Sequence, residues 1–226
     1  MFVRTVIGAA LCALLVSGFA QATEKSASLV ASVSGAAAAS EAAEPRQIVE
    51  ALHAALIESM KRADELGFDG RYELIAPVLD DTFDMTVMAK VAIGGAWNEL
   101  DEEQRASWVA LTRRYSAANY ADKFDGYSDQ HFQTLSEEPS ARGTRIVKTE
   151  LVQPTDKDVQ LDYRLRKVKG NWRIIDVQLS GRVSELALRR ADYRSVIGAE
   201  KDPVRGFEIL VAKLGEKIEA MKEDDE

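Results

Sequence analysis

The sequence predicts a single α+β domain in which helices pack on a four-stranded, curled antiparallel sheet, and the facing apolar sides either form a packed core or enclose an apolar pocket. Three observations lead to this prediction. Apolar residues recur at helical spacing from Pro45 to about residue 126, alternate every second residue from about 131 to 179, and return to helical spacing after Ser184. Helices and sheets with one apolar face each are typical of two layers around one core.

The N-terminus has the features of a secretory signal peptide. An apolar run of about 14 residues extends from Val6 to Phe19, and the small residues Ala20 and Ala22 follow it. We expect cleavage near Ala22 and export from the cytoplasm. The run is shorter than the roughly 20 residues of a membrane-spanning helix, so we expect the mature chain to be soluble.

The mature chain is expected to comprise a tether, a folded domain and a tail. Residues 23–44 are rich in Ala and Ser and are interpreted as a disordered tether, either a leader or a reach toward a membrane partner. The folded domain is assigned to residues 45–222 and an acidic tail to residues 223–226. The only cysteine, Cys12, lies in the signal peptide, which excludes disulfides and thiolate metal sites from the mature chain.

The charge of the mature chain argues against binding to nucleic acid. Removing residues 1–22 takes away one base, Arg4, and no acid, so the net charge changes from −8 to −9. An acidic surface cannot neutralise phosphates, which is the main source of affinity for nucleic acids.

The first half of the chain predicts four helices. The first begins at Pro45 and stops at Gly67, and a second stretch, residues 72–75, stops before Pro77 because the residue before a proline disfavours helical geometry. A third helix, from Asp84 to Ile93, ends at two glycines. Asp101 and Gln104 form the pattern of a capping box at the start of a fourth.

The second half predicts strands and then two helices. Residues 131–135, 145–152, 159–166 and 171–179 have strand character, and Lys169-Gly170-Asn171 forms the turn between the last two. A helix from Ser184 to Ile197 and another beginning after Asp202-Pro203 close the chain.

The sequence contains few residue patterns that are typical of catalytic or metal-binding sites. His53 and His131 do not come together by local spacing, and the acidic residues 80–84 lack the spacing of a calcium loop. We therefore predict no catalytic residues, no metal and no cofactor. Asp176 is the one acid that its apolar context singles out, and it leaves open a small-ligand binder or enzyme on a curled-sheet, NTF2-like scaffold.

Apolar and aromatic side chains on the two predicted layers are the candidate binding residues. Ordinary core packing and a deep apolar pocket use the same residue types, and the sequence alone leaves both open. The candidate pocket residues are Leu74, Met85, Met88, Val91, Trp97, Trp108, Leu111, Tyr115, Val147, Leu151, Leu161, Tyr163, Leu165, Trp172 and Ile174.

Short motifs follow one another along the helices and the sheet. In chain order they are Leu74-Ile75-Ala76-Pro77, Phe83-Asp84-Met85-Thr86-Val87-Met88-Ala89, Ile93-Gly94-Gly95-Ala96-Trp97, Leu100-Asp101-Glu102-Glu103-Gln104-Arg105, Trp108, Tyr115, Tyr120, Val159 to Leu165, and Asn171-Trp172-Arg173-Ile174-Ile175-Asp176-Val177. Together they resemble the MlaC, or toluene-tolerance, family of periplasmic phospholipid-binding proteins. Arg190-Ala191-Asp192-Tyr193 and Gly206-Phe207-Glu208 are more similar to the hopanoid-associated HpnM branch.

The resemblance implies a carrier rather than an enzyme. It implies a lipid ligand held by its acyl chains and passed between membrane complexes. The implied partners are an inner-membrane ABC-type lipid transporter complex and an outer-membrane lipoprotein complex, with transient docking to each. The bound lipid would be a phospholipid or, in the HpnM branch, a hopanoid-type lipid.

Overall fold

The helices and strands follow the predicted order of helices, sheet and helices. The computed structural model describes residues 43–225, so the predicted signal peptide and most of the predicted tether lie outside the described residues. The helices are α1 Pro45–Lys61, α2 Ala63–Thr82, α3 Met85–Ile93, α4 Glu102–Lys123, α5 Glu185–Gly198 and α6 Pro203–Glu223. The strands are β1 His131–Pro139, β2 Arg145–Val152, β3 Val159–Val168, β4 Asn171–Leu179 and β5 Val183–Ser184.

The first two helices differ from the sequence prediction. Helix α1 ends at Lys61, before the predicted stop, and Gly67 lies inside α2 as a kink with φ 55° and ψ −174°. A left-handed φ of this kind costs glycine little, because glycine has no Cβ. Gly67 therefore interrupts the helical backbone, as predicted, although α1 itself already ends at Lys61.

The predicted stop before Pro77 is wrong, since α2 continues through Pro77 to Thr82. Proline disfavours a helix interior because it lacks an N–H and its ring crowds the preceding turn. Here the flanking residues Ile75 and Leu79 are almost completely buried on one face of α2, while Pro77 is exposed on another. Their burial, worth roughly 1.5–3 kcal/mol for each side chain, is of the same order as the cost of the proline.

The caps of α3 and α4 confirm the predicted boundaries. The Val87 N–H donates to Asp84 Oδ1 at 3.1 Å, and Gly94 ends α3 with φ 58°. At the start of α4, the Gln104 N–H donates to Asp101 Oδ1 at 2.8 Å, while the Asp101 N–H donates to Gln104 Oε1 at 2.9 Å. These reciprocal bonds form the predicted capping box.

The strands form one antiparallel sheet in chain order, which confirms the α+β fold with a single open sheet. The prediction of four strands is wrong by one, because the short β5 pairs with the end of β4. At the opposite end of β4, the Asp84 N–H donates to the Ile174 carbonyl at 2.8 Å. This bond attaches the junction between α2 and α3 directly to the sheet.

The C-terminal residues contact the helices at the start of the domain. Arg71, only 2% exposed, donates to the Ala121 carbonyl and to Asp225 Oδ1, at 3.0 and 2.7 Å. The acidic segment predicted at residues 223–226 thus includes the end of α6 and a residue that pairs with a buried arginine. Residues 43–225 lie in one compact unit, and no helix among them is apolar and long enough to cross a bilayer.

Candidate functional site

The largest group of buried side chains lies between the sheet and helices α1 to α4. We call it the main cluster. It consists of Val49, Leu52, Leu56, Met60, Ile75, Leu79, Phe83, Met85, Ala117, Phe124, Val147, Leu151, Leu161, Tyr163, Leu165, Trp172, Ile174 and Val177. Neighbouring strands contribute its residues on the sheet: Val147 on β2 pairs with Tyr163 on β3, and Tyr163 pairs with Val177 on β4.

Polar groups in the buried interior around the main cluster are mostly paired. His53 Nε2 and the Tyr163 hydroxyl are hydrogen-bonded at 3.1 Å, and the Thr149 hydroxyl donates to the Leu161 carbonyl at 2.7 Å. The Ser59 hydroxyl on α1 has no hydrogen-bond partner among residues 43–225, although the residue is fully buried. A buried polar group without a partner destabilises a packed state by about 1–3 kcal/mol.

Burial holds His53 in its neutral form. The ring is 5% exposed and is stacked on Phe132 with 3.7 Å between the ring centroids. Burial lowers the pKa of His53 to about 3, because the charged imidazolium loses its hydration. Burial also raises the pKa of the Tyr163 hydroxyl well above its ordinary value. The pair is therefore a neutral hydrogen bond within an apolar interior.

A second group of buried side chains lies among helices α3, α4, α5 and α6. We call it the second cluster. It consists of Ala89, Ala92, Ile93, Leu100, Trp108, Tyr193, Ile197, Phe207, Leu210 and Leu214. Trp108 donates its Nε1–H to the Ala89 carbonyl at 2.9 Å and contacts Tyr193 and Phe207 edge to face.

The predicted pocket residues are divided between these two clusters. Those in the main cluster or packed against it are Leu74, Met85, Met88, Val147, Leu151, Leu161, Tyr163, Leu165, Trp172 and Ile174. Those in the second cluster or packed against it are Trp97, Trp108, Leu111 and Tyr115. Val91 is half-buried on α3. The structure therefore does not bring all of the predicted residues to one place.

The α1 residues of the main cluster are absent from the predicted pocket. Val49, Leu52 and Leu56 are fully buried against the sheet side of the molecule. Their three- and four-residue spacing predicts a helix with one buried face, but spacing along a helix does not state which element that face contacts.

A cleft of about 240 Å³ lies between α2, α3 and α4. Its inner wall includes Leu79 and Met85, which are members of the main cluster. Its rim carries Asp80, Arg113 and Arg114, and Arg113 Nε lies 3.3 Å from Asp80 Oδ1. We call this concavity the α2–α4 cleft. It connects solvent to the edge of the apolar interior.

A wider and more open groove of about 720 Å³ lies between α1 and β1. His53 and Phe132 form part of its lining, and their stacked rings separate it from the interior. Its charged residues balance, with Arg46 and Lys61 against Glu50 and Glu58, and Arg46 Nε lies 2.6 Å from Glu50 Oε1. This groove is a polar surface depression, and the α2–α4 cleft has the more direct contact with the main cluster.

The half-buried carboxylate of Asp176 lies at the start of α5. Asp176 Oδ1 accepts a hydrogen bond from the Leu186 N–H at 3.3 Å, in the first turn of α5. Within residues 43–225, no group of three or more His, Cys, Asp and Glu side chains is arranged as a set of metal ligands.

A comparison with models of known protein families identifies the family of this chain. The model of the MlaC protein family matches residues 50–216, which is most of the chain. The chain belongs to the MlaC family. This result confirms the resemblance found in the motifs, and the match covers α1 residues and the whole sheet as well as those motifs. No curated relative matches the chain in sequence.

A solved structure shares the MlaC-family fold seen here. It is a phospholipid-binding protein from Ralstonia solanacearum, determined in complex with a phospholipid. The two proteins are 17% identical, and the TM-score is 0.68 over 79% of this chain and 99% of that chain. At this identity the similarity shows a common fold.

Proposed function

We propose that this protein is a periplasmic lipid carrier that binds a phospholipid, or a hopanoid-type lipid, by its apolar part. The observation that carries the proposal is the MlaC family match over residues 50–216. The fold shared with a phospholipid-binding protein supports it. The carrier would receive its lipid from one membrane complex and deliver it to another. An inner-membrane ABC-type transporter and an outer-membrane lipoprotein complex are the proposed partners.

The free energy of apolar chains in water explains why such a carrier is needed. Each buried methylene contributes about 0.8 kcal/mol, so two long acyl chains exposed to water cost on the order of 20 kcal/mol. A protein that covers both chains removes most of this barrier to transfer. The charged headgroup does not need the same cover, because burial of a charge is itself costly.

The main cluster is the proposed position of the acyl chains. It is the largest apolar group in the described part of the chain, and it lies between the sheet and helices α1 to α4, which the Asp84–Ile174 backbone bond joins at the junction of α2 and α3. The α2–α4 cleft, at about 240 Å³, is smaller than the roughly 300 Å³ of the smallest typical ligand pockets. We therefore propose that the helix layer moves away from the sheet when lipid binds.

The unpaired hydroxyl of Ser59 supports movement of α1. This hydroxyl forms no hydrogen bond among residues 43–225, so no hydrogen bond of this side chain has to break when α1 moves. A water molecule or a lipid ester group admitted by such a movement would supply a partner.

A carrier needs no catalytic residues, and we propose that this protein has no enzymatic activity. The alternative, a small-ligand binder or enzyme built around Asp176, depends on a carboxylate that faces a cavity. Asp176 instead accepts the Leu186 N–H in the first turn of α5. This contact favours a structural role for Asp176.

Tryptophan fluorescence tests where the acyl chains bind. The chain has three tryptophans, of which Trp172 lies in the main cluster and Trp108 in the second. A Trp97→Phe/Trp108→Phe variant retains only Trp172, and a Trp97→Phe/Trp172→Phe variant retains only Trp108. Each is mixed with vesicles of phospholipid that carries bromine, a contact quencher, on its acyl chains. We expect strong quenching of Trp172 and little quenching of Trp108.

The two variants act as controls for each other, because both contain one buried tryptophan. Unbrominated vesicles of the same phospholipid correct for any change in fluorescence that does not arise from contact. Quenching of Trp108 without quenching of Trp172 would contradict the proposed position of the chains. Absence of quenching in both folded variants would contradict binding.

A further inference from the structure

The rim of the α2–α4 cleft carries more positive than negative charge. Arg113 and Arg114 on α4 and Asp80 on α2 are its charged residues, and all three are exposed. Arg113 is paired with Asp80, whereas Arg114 forms no ion pair with any carboxylate in residues 43–225. The rim therefore has a net charge of about +1, on a protein whose overall charge is −8.

The cleft combines this cationic rim with an apolar inner wall. Tyr72, Ala76, Leu79 and Met85 line the side that faces the interior. Leu79 and Met85 belong to the main cluster, and Tyr72 and Ala76 pack against it. An occupant with a negative charge at one end and an apolar body would satisfy both parts. A free inorganic phosphate would use the rim alone.

We propose that the α2–α4 cleft is the headgroup site for the bound lipid, and that Arg113 and Arg114 bind its phosphate. The inference rests on the proposed function and adds to it the position of the lipid phosphate and the two residues that bind it. A guanidinium presents several N–H donors in a planar fork that matches phosphate oxygens, and such charge-assisted bonds are stronger than neutral ones. The acyl chains then pass Leu79 and Met85 into the main cluster.

Asp80 competes with the phosphate in this arrangement. In the structure it lies 3.3 Å from Arg113 and holds that guanidinium at the rim. A phosphate that takes Arg113 leaves Asp80 close to a second negative charge, and the exposed carboxylate turns toward solvent. Asp80 thus weakens binding of the phosphate, and its removal strengthens binding.

A competition between two lipids that differ only in the phosphate tests the inference. Detergent-solubilised dioleoyl phosphatidic acid and dioleoylglycerol are offered to the protein in equal amounts, and bound lipid is measured by mass spectrometry after the detergent is removed. We expect the wild-type protein to be enriched in phosphatidic acid. In the Arg113→Gln/Arg114→Gln variant the enrichment should fall by at least about tenfold, the low end of the effect of losing one charge-assisted bond. Asp80→Asn should increase it.

A matched control and a salt series separate this site from general charge effects. Arg194 and Arg205 are exposed on α5 and α6, so Arg194→Gln/Arg205→Gln removes the same charge elsewhere and should leave the enrichment unchanged. Higher salt should reduce the enrichment of the wild-type protein, because exposed charges are screened.

The outcomes that contradict the two proposals are distinct. Equal enrichment in the wild type and in the Arg113→Gln/Arg114→Gln variant overturns the headgroup site and leaves lipid carriage standing. Displacement of phosphatidic acid by an equal concentration of inorganic phosphate shows a free-phosphate site and overturns the lipid assignment. Failure of every variant, including the wild type, to bind either lipid overturns both proposals.

Discussion

At the scale of single residues, Gly206 marks the closest approach between α5 and α6. A Cβ atom at this position would lie 2.3 Å from the carbonyl oxygen of Ile197. Real atoms do not approach so closely, so any side chain forces the two backbones apart.

We expect Gly206→Ala to lower the free energy of unfolding by at least about 1–3 kcal/mol, as overpacking does in other cores. The control is Gly215→Ala on the same helix, where a Cβ would meet nothing within 4 Å. That change should be neutral or stabilising by up to about 1 kcal/mol, since alanine favours a helix. Chemical denaturation measures both. Equal effects of the two substitutions would contradict the close packing of α5 on α6.

His53 makes the stability of the protein depend on pH. Its pKa in the folded chain is about 3, whereas a histidine in an unfolded chain has a pKa near 6.5. The unfolded chain therefore binds the proton first, so stability is greatest above about pH 6.5 and falls as the pH falls toward 3. Between pH 6.5 and pH 5 we expect a loss of about 1.6 kcal/mol, because the slope approaches 1.36 kcal/mol for each pH unit only below the unfolded-state pKa.

Replacement of His53 tests this dependence. His53→Gln removes the titrating group and should make the free energy of unfolding nearly independent of pH between 6.5 and 5. His131 is the other histidine in the chain and is exposed, so His131→Gln is the matched control and should retain the slope. A His53→Gln variant with the slope of the wild type would show that other groups cause it.

At the scale of elements, Asp84 connects α3 to the sheet through two interactions. Its Oδ1 accepts the Val87 N–H at the start of α3, and its Oδ2 accepts hydrogen bonds from Arg166 Nε and a terminal nitrogen at 3.0 and 2.6 Å. Arg166 is 40% exposed, so water replaces part of the ion pair when the carboxylate is removed.

Two substitutions of Asp84 separate the cap from the ion pair. Asp84→Ala removes both, and we expect it to lower the free energy of unfolding by about 1–3 kcal/mol. Asp84→Asn keeps a capping oxygen and should cost about 1 kcal/mol or less. Asp101→Ala, at the exposed cap of α4, measures the cost of a cap alone. If Asn and Ala at position 84 were equally destabilising, the cap would not contribute as described.

The sequence predicts elements well where local chemistry determines them. Asp84, Asp101 and Asp202 accept backbone N–H groups at the starts of α3, α4 and α6, and these side chains bond within their own turn. The sequence predicts a stop before Pro77, which is wrong because tertiary packing determines the backbone there. The buried neighbours of Pro77 keep it within a helix, whereas Gly67 interrupts the helical backbone through its own left-handed φ, which is a local property.

At the scale of the whole molecule, the apolar interior has two parts that the sequence could not separate. Trp108 and Trp172 are both buried aromatic residues at positions typical of an apolar face. The first lies between α3 and the C-terminal helices, and the second lies among sheet residues facing α1 and α2. This division depends on how α5 and α6 return onto α4, which is a long-range arrangement that spacing along one helix does not contain.

The sequence does not predict the α2–α4 cleft, for a related reason. Asp80 and Arg113 are 33 positions apart and look like ordinary exposed charges in their own helices. Only the packing of α2 against α4 places them together over Leu79 and Met85. The spacing of apolar residues along a sequence indicates which of them are buried, whereas no such pattern distinguishes a binding arginine from other surface arginines.

Native mass spectrometry of the protein purified without detergent from the periplasm of an expressing bacterium tests lipid carriage most directly. We predict protein ions with added mass equal to one lipid, and the same lipid in an organic extract of the sample. Protein that has been stripped of lipid and refolded should regain such a mass after incubation with phospholipid vesicles. Lipid-free ions in both preparations, from protein shown to be folded, would contradict the account.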